Sequence, residues 1–321
     1  MGGGVGRRRR FGTRGRRPRA APQRAHVVND SVTDFQTAAR SQLPPPARID
    51  RLVLVGHPVA HSLSPRFQNA ALTAAGLDVR YEALDVSPHR LVHTVAAFGR
   101  GVAGNATVPH KEALAAQCAV RSPLAERAGA VNTFWYADDG VLVGDNTDVG
   151  GFDTAVRAVA DVDRPHVVAL VGAGGSAAAV LAAVAAWPDS RVRVWSRRAE
   201  RAVALAAREP TVATAASSLT EALGGATLVV NATPLGLAAD DPYPVPLDAL
   251  PRHAAVYDLV YAPARTAWVR AVLRAGHPAD DGLGMLVEQG ALAFARWFGR
   301  EPDRAAMWAA LADVTARRAE P

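Results

Sequence analysis

The chain of 321 residues contains a single lysine, Lys111, because all but one of its 36 Lys and Arg residues are arginine. Arginine serves equally well for a surface charge or an ion pair, but it does not release a proton near neutral pH. An ammonium group can release one, and many catalytic lysines depend on this property. Lys111 is therefore the first candidate for proton-transfer chemistry, and an ordinary surface lysine is the alternative.

A glycine-rich turn lies between a predicted strand and a predicted helix in the second half of the chain. Such a turn presents bare backbone N–H groups and a helix N-terminus, which together bind phosphate. Residues 166–171 predict the strand before it, an Ala-rich stretch to 187 predicts the helix after it, and 191–195 predict the next strand. This context favours a dinucleotide site over a tight turn without ligand. The candidate cofactor residues in the turn are Gly172, Ala173, Gly174, Gly175 and Ser176.

The residues after the next strand indicate which dinucleotide binds. NAD enzymes place an Asp or Glu there to bind the ribose 2′-hydroxyl, whereas this chain has Ser196, Arg197 and Arg198. Arginine suits a 2′-phosphate by its charge and its bidentate geometry. The sequence therefore predicts NADP, although Arg198 is also compatible with a solvated residue at a helix start.

Two serines, Ser62 and Ser64, stand before Pro65 at the start of a predicted helix. Hydroxyls, backbone N–H groups and the helix dipole all favour an anion at such a place. Taken singly, Ser62 is also compatible with a turn hydroxyl and Ser64 with a helix cap. Together they predict a site for a carboxylate.

The composition limits the class of protein. With 49% hydrophobic residues, the chain is long enough for two domains with their own cores. It has no run of about 18 apolar residues, so we expect no membrane span. Its one cysteine, Cys118, excludes an intramolecular disulfide and suits a reducing compartment, so we expect a cytoplasmic protein. We predict no metal site.

The arginines are concentrated at the N-terminus. Residues 1–48 hold 11 Arg and two acids, a net charge of +9, whereas residues 49–321 hold 25 basic and 28 acidic side chains, a net charge of −3. The acidic remainder gives no indication of a nucleic-acid surface. Residues 1–48 have no apolar period, and we expect a disordered, Arg-rich extension. It is compatible with a targeting arm, a nucleic-acid tether or a translated segment without function; we favour the last, because the apolar core of a secretory signal is missing.

The elements that must position these residues alternate between strand and helix, which predicts an α/β fold with parallel sheets covered by helices. Strands are expected at 51–55, 79–86, 102–107, 166–171, 191–195, 226–230 and 255–259, with a hairpin at 130–143. Helices are expected at 64–76, 88–98, 111–118, 148–160, 283–298 and 303–318, in addition to the one that ends at 187.

The order of these elements predicts two domains with a cleft between them. Residues 49–147 form the first domain, a mostly parallel sheet with helices on both faces. Residues 148–282 form a Rossmann-type NADP-binding domain. Residues 283–321 return to the first domain, with 283–298 as the connection.

Eight motifs follow one another along the chain. They are Gly-x-Pro-x-x-His-Ser-x-Ser-Pro from 56, Thr-Val-Pro-x-Lys from 107, Gly-Ala-Val-Asn-Thr from 129, Asp-Asn-Thr-Asp from 145, Gly-Ala-Gly-Gly from 172, Asn-Ala-Thr-Pro-Leu-Gly from 231, Tyr-Asp-Leu-Val-Tyr from 257 and Asp-Gly-Leu-Gly-Met from 281. In this order they closely resemble the motifs of the shikimate dehydrogenase family, and the resemblance covers roughly residues 50–320.

The resemblance implies reversible, NADPH-dependent reduction of 3-dehydroshikimate to shikimate, a step on the route to chorismate and the aromatic amino acids. By the matching positions, Lys111 is the proton donor and acceptor, and Asp148 shares hydrogen bonds with it and with a substrate hydroxyl. The implied substrate residues are Ser62, Ser64 and Thr107 for the carboxylate end, and Asn132, Tyr261 and Gln289 for the remaining polar atoms. The implied cofactor residues beyond those above are Thr233, and Leu259 and Gly282 beside the nicotinamide.

Four positions depart from the family pattern without removing a catalytic group. Val149 stands where the family usually has Gly, His57 where Asn is common and Leu237 where Met is frequent, and Thr266 lacks the usual following Pro. These departures leave substrate breadth open. A quinate or aminoshikimate dehydrogenase and a catalytically silent NADP-binding regulator stay as alternatives, but the retained serines, lysine and aspartate favour an active shikimate enzyme. We expect a monomer or homodimer with a small-molecule substrate and with no nucleic-acid or membrane partner.

Overall fold

The computed structural model describes residues 1–4, 43–238 and 240–318. Within these residues, six strands form a first sheet in the order β2-β1-β3-β5-β6-β4, in which β5 runs antiparallel to both neighbours and the other pairings are parallel. The strands are β1 (Arg51–Gly56), β2 (Tyr81–Asp85), β3 (Val102–Ala106), β4 (Val120–Arg121), β5 (Thr133–Tyr136) and β6 (Leu142–Asp145).

Four helices accompany the first sheet in the described chain. They are α1 (Ser64–Ala74), α2 (Leu91–Ala97), α3 (Lys111–Ala115) and α4 (Pro123–Ala128), with a 3₁₀ turn at Pro88–Arg90. The local sequence fixes α4 at both ends. The Ser122 hydroxyl accepts a hydrogen bond from the Ala125 N–H at 3.0 Å, Pro123 takes the first helical position, and Gly129 ends the helix at φ 59°.

The second sheet is parallel throughout its described strands, in the order β12-β11-β10-β7-β8-β9. Counted from β7, this is the doubly wound order of dinucleotide-binding sheets, in which the strand order reverses between β7 and β10. The strands are β7 (Val167–Val171), β8 (Arg191–Trp195), β9 (Ala213–Ala215), β10 (Leu228–Asn231), β11 (Ala255–Asp258) and β12 (Ala279–Asp281).

The remaining helices cover the second sheet or join the two sheets, except that the last two pack in the core of the first sheet. They are α5 (Asp148–Val156), α6 (Gly175–Val184), α7 (Ala199–Ala206), α8 (Leu219–Leu223), α9 (Ala267–Arg274), α10 (Leu283–Phe298), α11 (Arg304–Ala309) and α12 (Ala312–Ala316), with a 3₁₀ turn at Leu247–Ala249. Helix α5 leads from the first sheet to the second and α10 leads back, and these two helices pack against each other. Both connections therefore meet at one place in the molecule.

The hydrophobic cores follow the sheets, but one of them spans both. Leu124 and Ala128 of α4 pack in the same buried cluster as α6 and the inner strands of the second sheet. Beside this cluster, the Arg127 guanidinium donates to both carboxylate oxygens of Glu209, and the Arg208 guanidinium donates to the Ala128 carbonyl at 2.6 Å. Apolar packing and ion pairing thus join the two sheets on the α4 side.

The expected α/β class with two mostly parallel sheets is confirmed, and the expected strands lie within one to three residues of those observed. Several short elements had no expectation: β4, α4, α7, β9, α8, α9 and β12. The single helix expected at 303–318 is wrong, because Ala310 and Leu311 separate α11 from α12. The placing of the domain boundaries at 147/148 and 282/283 stays a prediction.

The expected start of the ordered chain at residue 49 is also wrong. Ala47 is buried and donates its N–H to the Tyr136 carbonyl at 2.9 Å, and the Trp135 indole donates to the Pro44 carbonyl at 2.8 Å. Residues 43–48 therefore pack against β5. Residues 5–42 of the expected Arg-rich extension lie outside the described residues.

Candidate active site

The lysine and the aspartate singled out by the sequence form a mostly buried ion pair. The Lys111 ammonium donates to Oδ2 of Asp148 at 2.6 Å, and the two side chains are 12% and 6% exposed. Lys111 is the first residue of α3 and Asp148 the first residue of α5, so the pair joins two helix starts. Asp148 does not cap its own helix, since its carboxylate is turned to the lysine and no side-chain cap is present.

Asn132 and Gln289 lie against this pair. The Asn132 amide nitrogen donates to Oδ1 of Asp148 at 2.9 Å and to Oε1 of Gln289 at 3.2 Å. Its oxygen accepts the N–H of Thr147 at 2.7 Å. Asn132 thus holds the carboxylate on the side opposite the ammonium and links three segments of the chain.

Two features of the helix pair α5 and α10 bring these groups together. A Cβ on Gly151 would lie 2.7 Å from Cβ of Gln289, so only glycine permits this approach of the two helices. The Arg296 guanidinium of α10 donates to the buried Asp145 at 2.6 Å, and Asp145 accepts the N–H of Asn146 at 2.7 Å. Helix α10 therefore fixes the turn that leads into Asp148.

A second group of expected substrate residues gathers around the start of α1. Ser62 Oγ accepts the N–H of Ser64 at 3.3 Å, while Leu63 takes the capping position without a side-chain bond. Ser64 lies inside the helix and is not its cap. The hydroxyl of Tyr261, from the segment after β11, contacts Ser62 and the backbone of Leu63. Burial raises the pKa of this phenol above its ordinary value. The tyrosine therefore stays a neutral hydroxyl at neutral pH.

Thr107 lies where two strands end side by side. Its N–H donates to the carbonyl of Val55 at 2.9 Å, and its methyl group occupies the space that a Cβ on Gly56 would need. The loop 57–63 leaves β1 at this glycine. Ser62 and Thr107 thus belong to loops that leave the carboxyl ends of adjacent parallel strands, where ligands bind in open α/β sheets.

The glycine turn of the second sheet has the geometry of a phosphate-binding loop. Gly172 has φ 118°, and a Cβ there would lie 2.7 Å from the Ala232 carbonyl oxygen and 3.2 Å from the N–H nitrogen of Thr233. A Cβ on Gly174 would meet open space, so the backbone is bare at the N-terminus of α6. The loop lies at the switch point between β7 and β10, and a nucleotide pyrophosphate fits this cradle.

The same loop touches the lysine. A Cβ on Gly175 would lie 3.3 Å from Cβ and 3.5 Å from Cδ of Lys111, so the loop packs on the aliphatic stem. Ser176 Oγ accepts a hydrogen bond from the Lys111 ammonium at 3.0 Å. The expected cofactor loop and the expected proton donor are therefore in direct contact.

The residues expected to select the cofactor lie at the end of β8. Ser196 is half-buried and accepts the N–H of Arg198 at 3.3 Å, while the side chains of Arg197 and Arg198 are exposed. Both guanidinium groups are accessible to a phosphate on the ribose. Leu259 and Gly282, expected beside the nicotinamide, contact each other: a Cβ on Gly282 would overlap the Leu259 carbonyl, and the Gly282 N–H donates to Val260 at 3.1 Å.

Sequence reasoning missed a buried carboxylate next to Leu259. Asp258 accepts hydrogen bonds from Asn231 at 2.8 Å, from the Thr266 hydroxyl at 2.8 Å and from the Val260 N–H at 3.1 Å. Burial nevertheless raises the pKa of Asp258 to about 7. The motif Tyr-Asp-Leu-Val-Tyr contained this residue, but a sequence does not show how far a carboxylate is removed from water.

The part of the chain that the structure describes holds no group of three or more His, Cys, Asp or Glu side chains placed to bind a metal ion. Nor does any helix in the described ranges have the length and apolarity needed to cross a membrane.

Comparison with known proteins decides the family. Residues 54–134 match the family model of the shikimate dehydrogenase substrate binding domain, and residues 282–312 match that of the shikimate 5′-dehydrogenase C-terminal domain. A shikimate dehydrogenase (NADP(+)) of Methylobacterium radiotolerans is 42% identical over 264 residues, which are 78% of this chain and 92% of the relative. The chain belongs to the shikimate dehydrogenase family. The corresponding protein of Rubrobacter xylanophilus is 42% identical over 268 residues, or 80% and 94% of the two chains.

Solved structures of shikimate dehydrogenases share the fold. The Thermus thermophilus enzyme, in complex with NADP(H) and shikimate, has a TM-score of 0.72 at 38% identity, covering 83% of this chain and all (100%) of that one. The Aquifex aeolicus enzyme has a TM-score of 0.75 at 30% identity, covering 82% and 97%. A quinate dehydrogenase of Corynebacterium glutamicum, in complex with NAD, has a TM-score of 0.70 at 28% identity, covering 83% and 99%.

Proposed function

We propose that this shikimate dehydrogenase reduces 3-dehydroshikimate to shikimate with NADPH and catalyses the reverse oxidation with NADP. The observation that carries the assignment at this site is the buried Lys111–Asp148 pair in contact with the glycine loop. It brings a proton donor to the place where a dinucleotide-binding loop meets a cluster of polar side chains. The reaction reduces a ring ketone by a hydride transfer and a proton transfer. The glycine loop serves the hydride donor, and Lys111 serves the proton transfer.

The proton chemistry belongs to Lys111. When NADPH is bound, it supplies the hydride that reduces the ketone carbon. The ketone oxygen then needs a proton, which Lys111 donates from its ammonium, leaving a neutral amine that regains a proton from solvent. In the oxidation, the neutral amine accepts the proton from the substrate hydroxyl. Asp148 holds the ammonium in place by a hydrogen bond of 2.6 Å.

The remaining polar residues orient the ring. We assign the carboxylate end to Ser62, Ser64 and Thr107, because two of them lie at the start of α1, where N–H groups and the helix dipole favour an anion. Tyr261, which contacts Ser62, closes this end from the second sheet. Asn132 and Gln289 lie beside Asp148 and supply amide groups for ring hydroxyls.

The cofactor binds across the switch point of the second sheet. The bare turn formed by Gly172, Gly174 and Gly175 accepts the pyrophosphate, with Ala173 and Ser176 in the same turn. Arg197 and Arg198 bind the 2′-phosphate beside Ser196. Thr233, Leu259 and Gly282 line the approach to the nicotinamide.

A cytoplasmic location is proposed from the single cysteine, which is buried.

The activity is tested by following the reduction of NADP by absorbance as shikimate is added to the purified protein. The wild type is expected to turn over, and Lys111→Ala in the same preparation is the control that separates enzyme from contaminant. Absence of shikimate-dependent NADP reduction by a folded wild type would reject the assignment in favour of a silent NADP-binding protein.

Quinate is the second candidate substrate, since a quinate dehydrogenase shares this fold at 28% identity. Quinate carries an extra hydroxyl on the carbon that bears the carboxylate. We expect Ser62, Ser64 and Thr107 to leave little room there, and crowding or a mispaired polar group costs about 1–3 kcal/mol. We therefore expect kcat/KM for shikimate to exceed that for quinate by at least about tenfold.

Ser62→Gly tests the same idea from the side of the protein. It opens the carboxylate end, so the preference for shikimate is expected to narrow while kcat/KM for shikimate falls through the lost hydroxyl. Ser87→Ala, a serine outside the site, is the matched control. Similar kcat/KM for both acids in the wild type would contradict the expectation and place the enzyme with the quinate/shikimate dehydrogenases.

A further inference from the structure

The hydroxyl of Ser176 forms a hydrogen bond with the lysine of the other sheet. The sequence places Ser176 among the candidate cofactor residues of the glycine-rich turn. In the structure it accepts a hydrogen bond from the Lys111 ammonium at 3.0 Å, and it lies in the first turn of the ten-residue helix α6. The residue belongs to the second sheet, whereas Lys111 belongs to the first.

An ammonium group has three N–H donors at fixed angles to one another. One acceptor leaves the group free to rotate about that bond, whereas two acceptors in different directions fix the direction of the third donor. Asp148 Oδ2 at 2.6 Å and Ser176 Oγ at 3.0 Å are two such acceptors, and they come from different helices. Only the third N–H of Lys111 is then left to donate to a reacting oxygen.

The backbone next to Ser176 supports the same contact. Gly175 lies against the lysine stem so closely that a Cβ there would be 3.3 Å from Cβ of Lys111. It would also lie 3.6 Å from Cβ of Ala130, which follows the end of α4. The turn therefore packs against residues of the first sheet through its backbone. The contact between Ser176 and Lys111 thus follows from this packing and does not depend on one side-chain rotamer alone.

We propose that Ser176 is a positioning residue for proton transfer, which orients the Lys111 ammonium from the cofactor loop. The inference rests on the proposed function, because it assigns the proton transfer to Lys111. It gives one turn of the chain two tasks: its backbone binds the cofactor phosphates, and its serine aligns the proton donor.

A purely cofactor-binding serine and a positioning serine differ in what their loss changes. Loss of a phosphate contact raises the dissociation constant of NADP and leaves the proton transfer intact. Loss of a positioning contact leaves cofactor binding intact and lowers kcat, because the ammonium adopts unproductive orientations. Hydrogen bonds to charged groups are strong enough for an effect of about tenfold on kcat.

The experiment compares the wild type with Ser176→Ala and Ser176→Thr. For Ser176→Ala we expect kcat to fall about tenfold. The KM for shikimate and the dissociation constant of NADP, measured by calorimetry without substrate, are expected to stay within about twofold, since no contact to either ligand is removed. The ratio of kcat in H₂O to kcat in D₂O is expected to rise, because proton transfer limits the rate more. Ser176→Thr keeps the hydroxyl and is expected to restore most of kcat.

Ser190→Ala is the matched control, because Ser190 is a buried serine immediately before β8 whose hydroxyl accepts from the His166 N–H at 2.9 Å and donates to the Pro188 carbonyl at 3.1 Å. It is expected to lower the melting temperature without changing kcat. An unchanged kcat for Ser176→Ala, or a weaker NADP affinity that accounts for the whole effect, would overturn the proposal. A wild type without shikimate-dependent turnover would instead reject the function itself, so the two failures are distinguishable.

Discussion

At the scale of single residues, the site depends on one buried ion pair whose partners need each other. Lys111 and Asp148 are 12% and 6% exposed, so removing either one leaves a charge in a poorly solvated place. Asp148 keeps a hydrogen bond from Asn132 when the lysine is lost, but an amide does not neutralise it. Activity and stability are therefore coupled at this pair, and experiments must separate them.

Lys111→Ala is expected to lower kcat by roughly 10²–10⁴, the usual effect of removing a general acid–base group, with little change in KM for shikimate. Lys111→Arg is also expected to be poor, because arginine does not release its proton. Steady-state assays measure both. More than a tenth of the wild-type kcat in Lys111→Ala would contradict the role of the lysine.

The double variant Lys111→Ala/Asp148→Asn is the control for stability. Lys111→Ala alone is expected to lower the melting temperature, since it leaves the buried carboxylate unpaired. The added Asp148→Asn removes that charge, so the double variant is expected to regain stability but not kcat. Recovery of activity in the double variant would show that Lys111→Ala acted through unfolding.

At the scale of elements, the carboxyl ends of the strands lead into the loops to which we assign the ligands. Strand β8 ends two residues before Arg197, β11 ends at Asp258, and β1 and β3 lead into the loops that hold Ser62 and Thr107. A parallel sheet places all its carboxyl ends on one edge, so loops far apart in sequence converge there.

Arg197→Ala is expected to reduce the preference for NADP over NAD, because it removes a guanidinium that we assign to the 2′-phosphate. Loss of one such contact is expected to raise KM for NADP about tenfold and to leave KM for NAD nearly unchanged. Arg252→Ala, an exposed arginine before β11, is the matched control. The assignment fails if the wild type prefers NAD or if the preference survives the substitution.

Asp258 makes the stability of the protein depend on pH near neutrality. Burial raises its pKa to about 7 in the folded protein, compared with an ordinary value of 3.8. The folded state therefore holds a proton between these values that the unfolded state has lost, and stability falls as pH rises through this window. The slope is about 1.4 kcal/mol per pH unit at most.

The measurement is the free energy of unfolding of the wild type and of Asp258→Asn between pH 4.5 and pH 8. The wild type is expected to lose stability relative to the variant as pH rises toward about 7, and the difference is expected to level off above that value. A difference between the two proteins that does not change with pH would show that Asp258 stays ionised in the folded state.

At the scale of the whole molecule, the two sheets are joined at several sites. Helices α5 and α10 connect them covalently, and Arg127 pairs with Glu209 beside α4. Between the sheets, Lys111 donates to Ser176, and Tyr261 contacts Ser62. The segment 43–48 forms hydrogen bonds with the first sheet only. Lys111 and the glycine turn before α6 meet because of these contacts between the sheets.

Deletion of residues 1–48 is expected to lower the melting temperature by a few degrees while kcat is retained. The deletion removes the Pro44 carbonyl that accepts from the buried Trp135 indole, and an unpaired buried donor costs about 1–3 kcal/mol. Deletion of residues 1–42 is the matched control and keeps this contact. Its melting temperature and kcat are expected to equal those of the full chain, because that segment has no apolar pattern with which to pack. Equal melting temperatures for the two deletions would contradict the role of residues 43–48.

The sequence by itself determined the fold class, the strands that carry the site and the residues that could do the chemistry. Apolar runs that end at a glycine indicate buried strands. A single lysine in an arginine-rich chain indicates a side chain that can release a proton near neutral pH. The long helix at 283–298 was also readable, because its pattern extends over four turns. Short elements such as α4 and β12 were missed, since three to six residues are too few for a period to be visible.

Only the tertiary structure decided what these residues contact. The pairing of Lys111 with Ser176 joins positions 65 residues apart, and that of Asn132 with Gln289 joins positions 157 apart. Such distances are set by the packing of helices on two different sheets, which no local pattern encodes. The burial that raises the pKa of Asp258 likewise comes from segments distant in the chain, because a carboxylate is removed from water only by the elements that close over it.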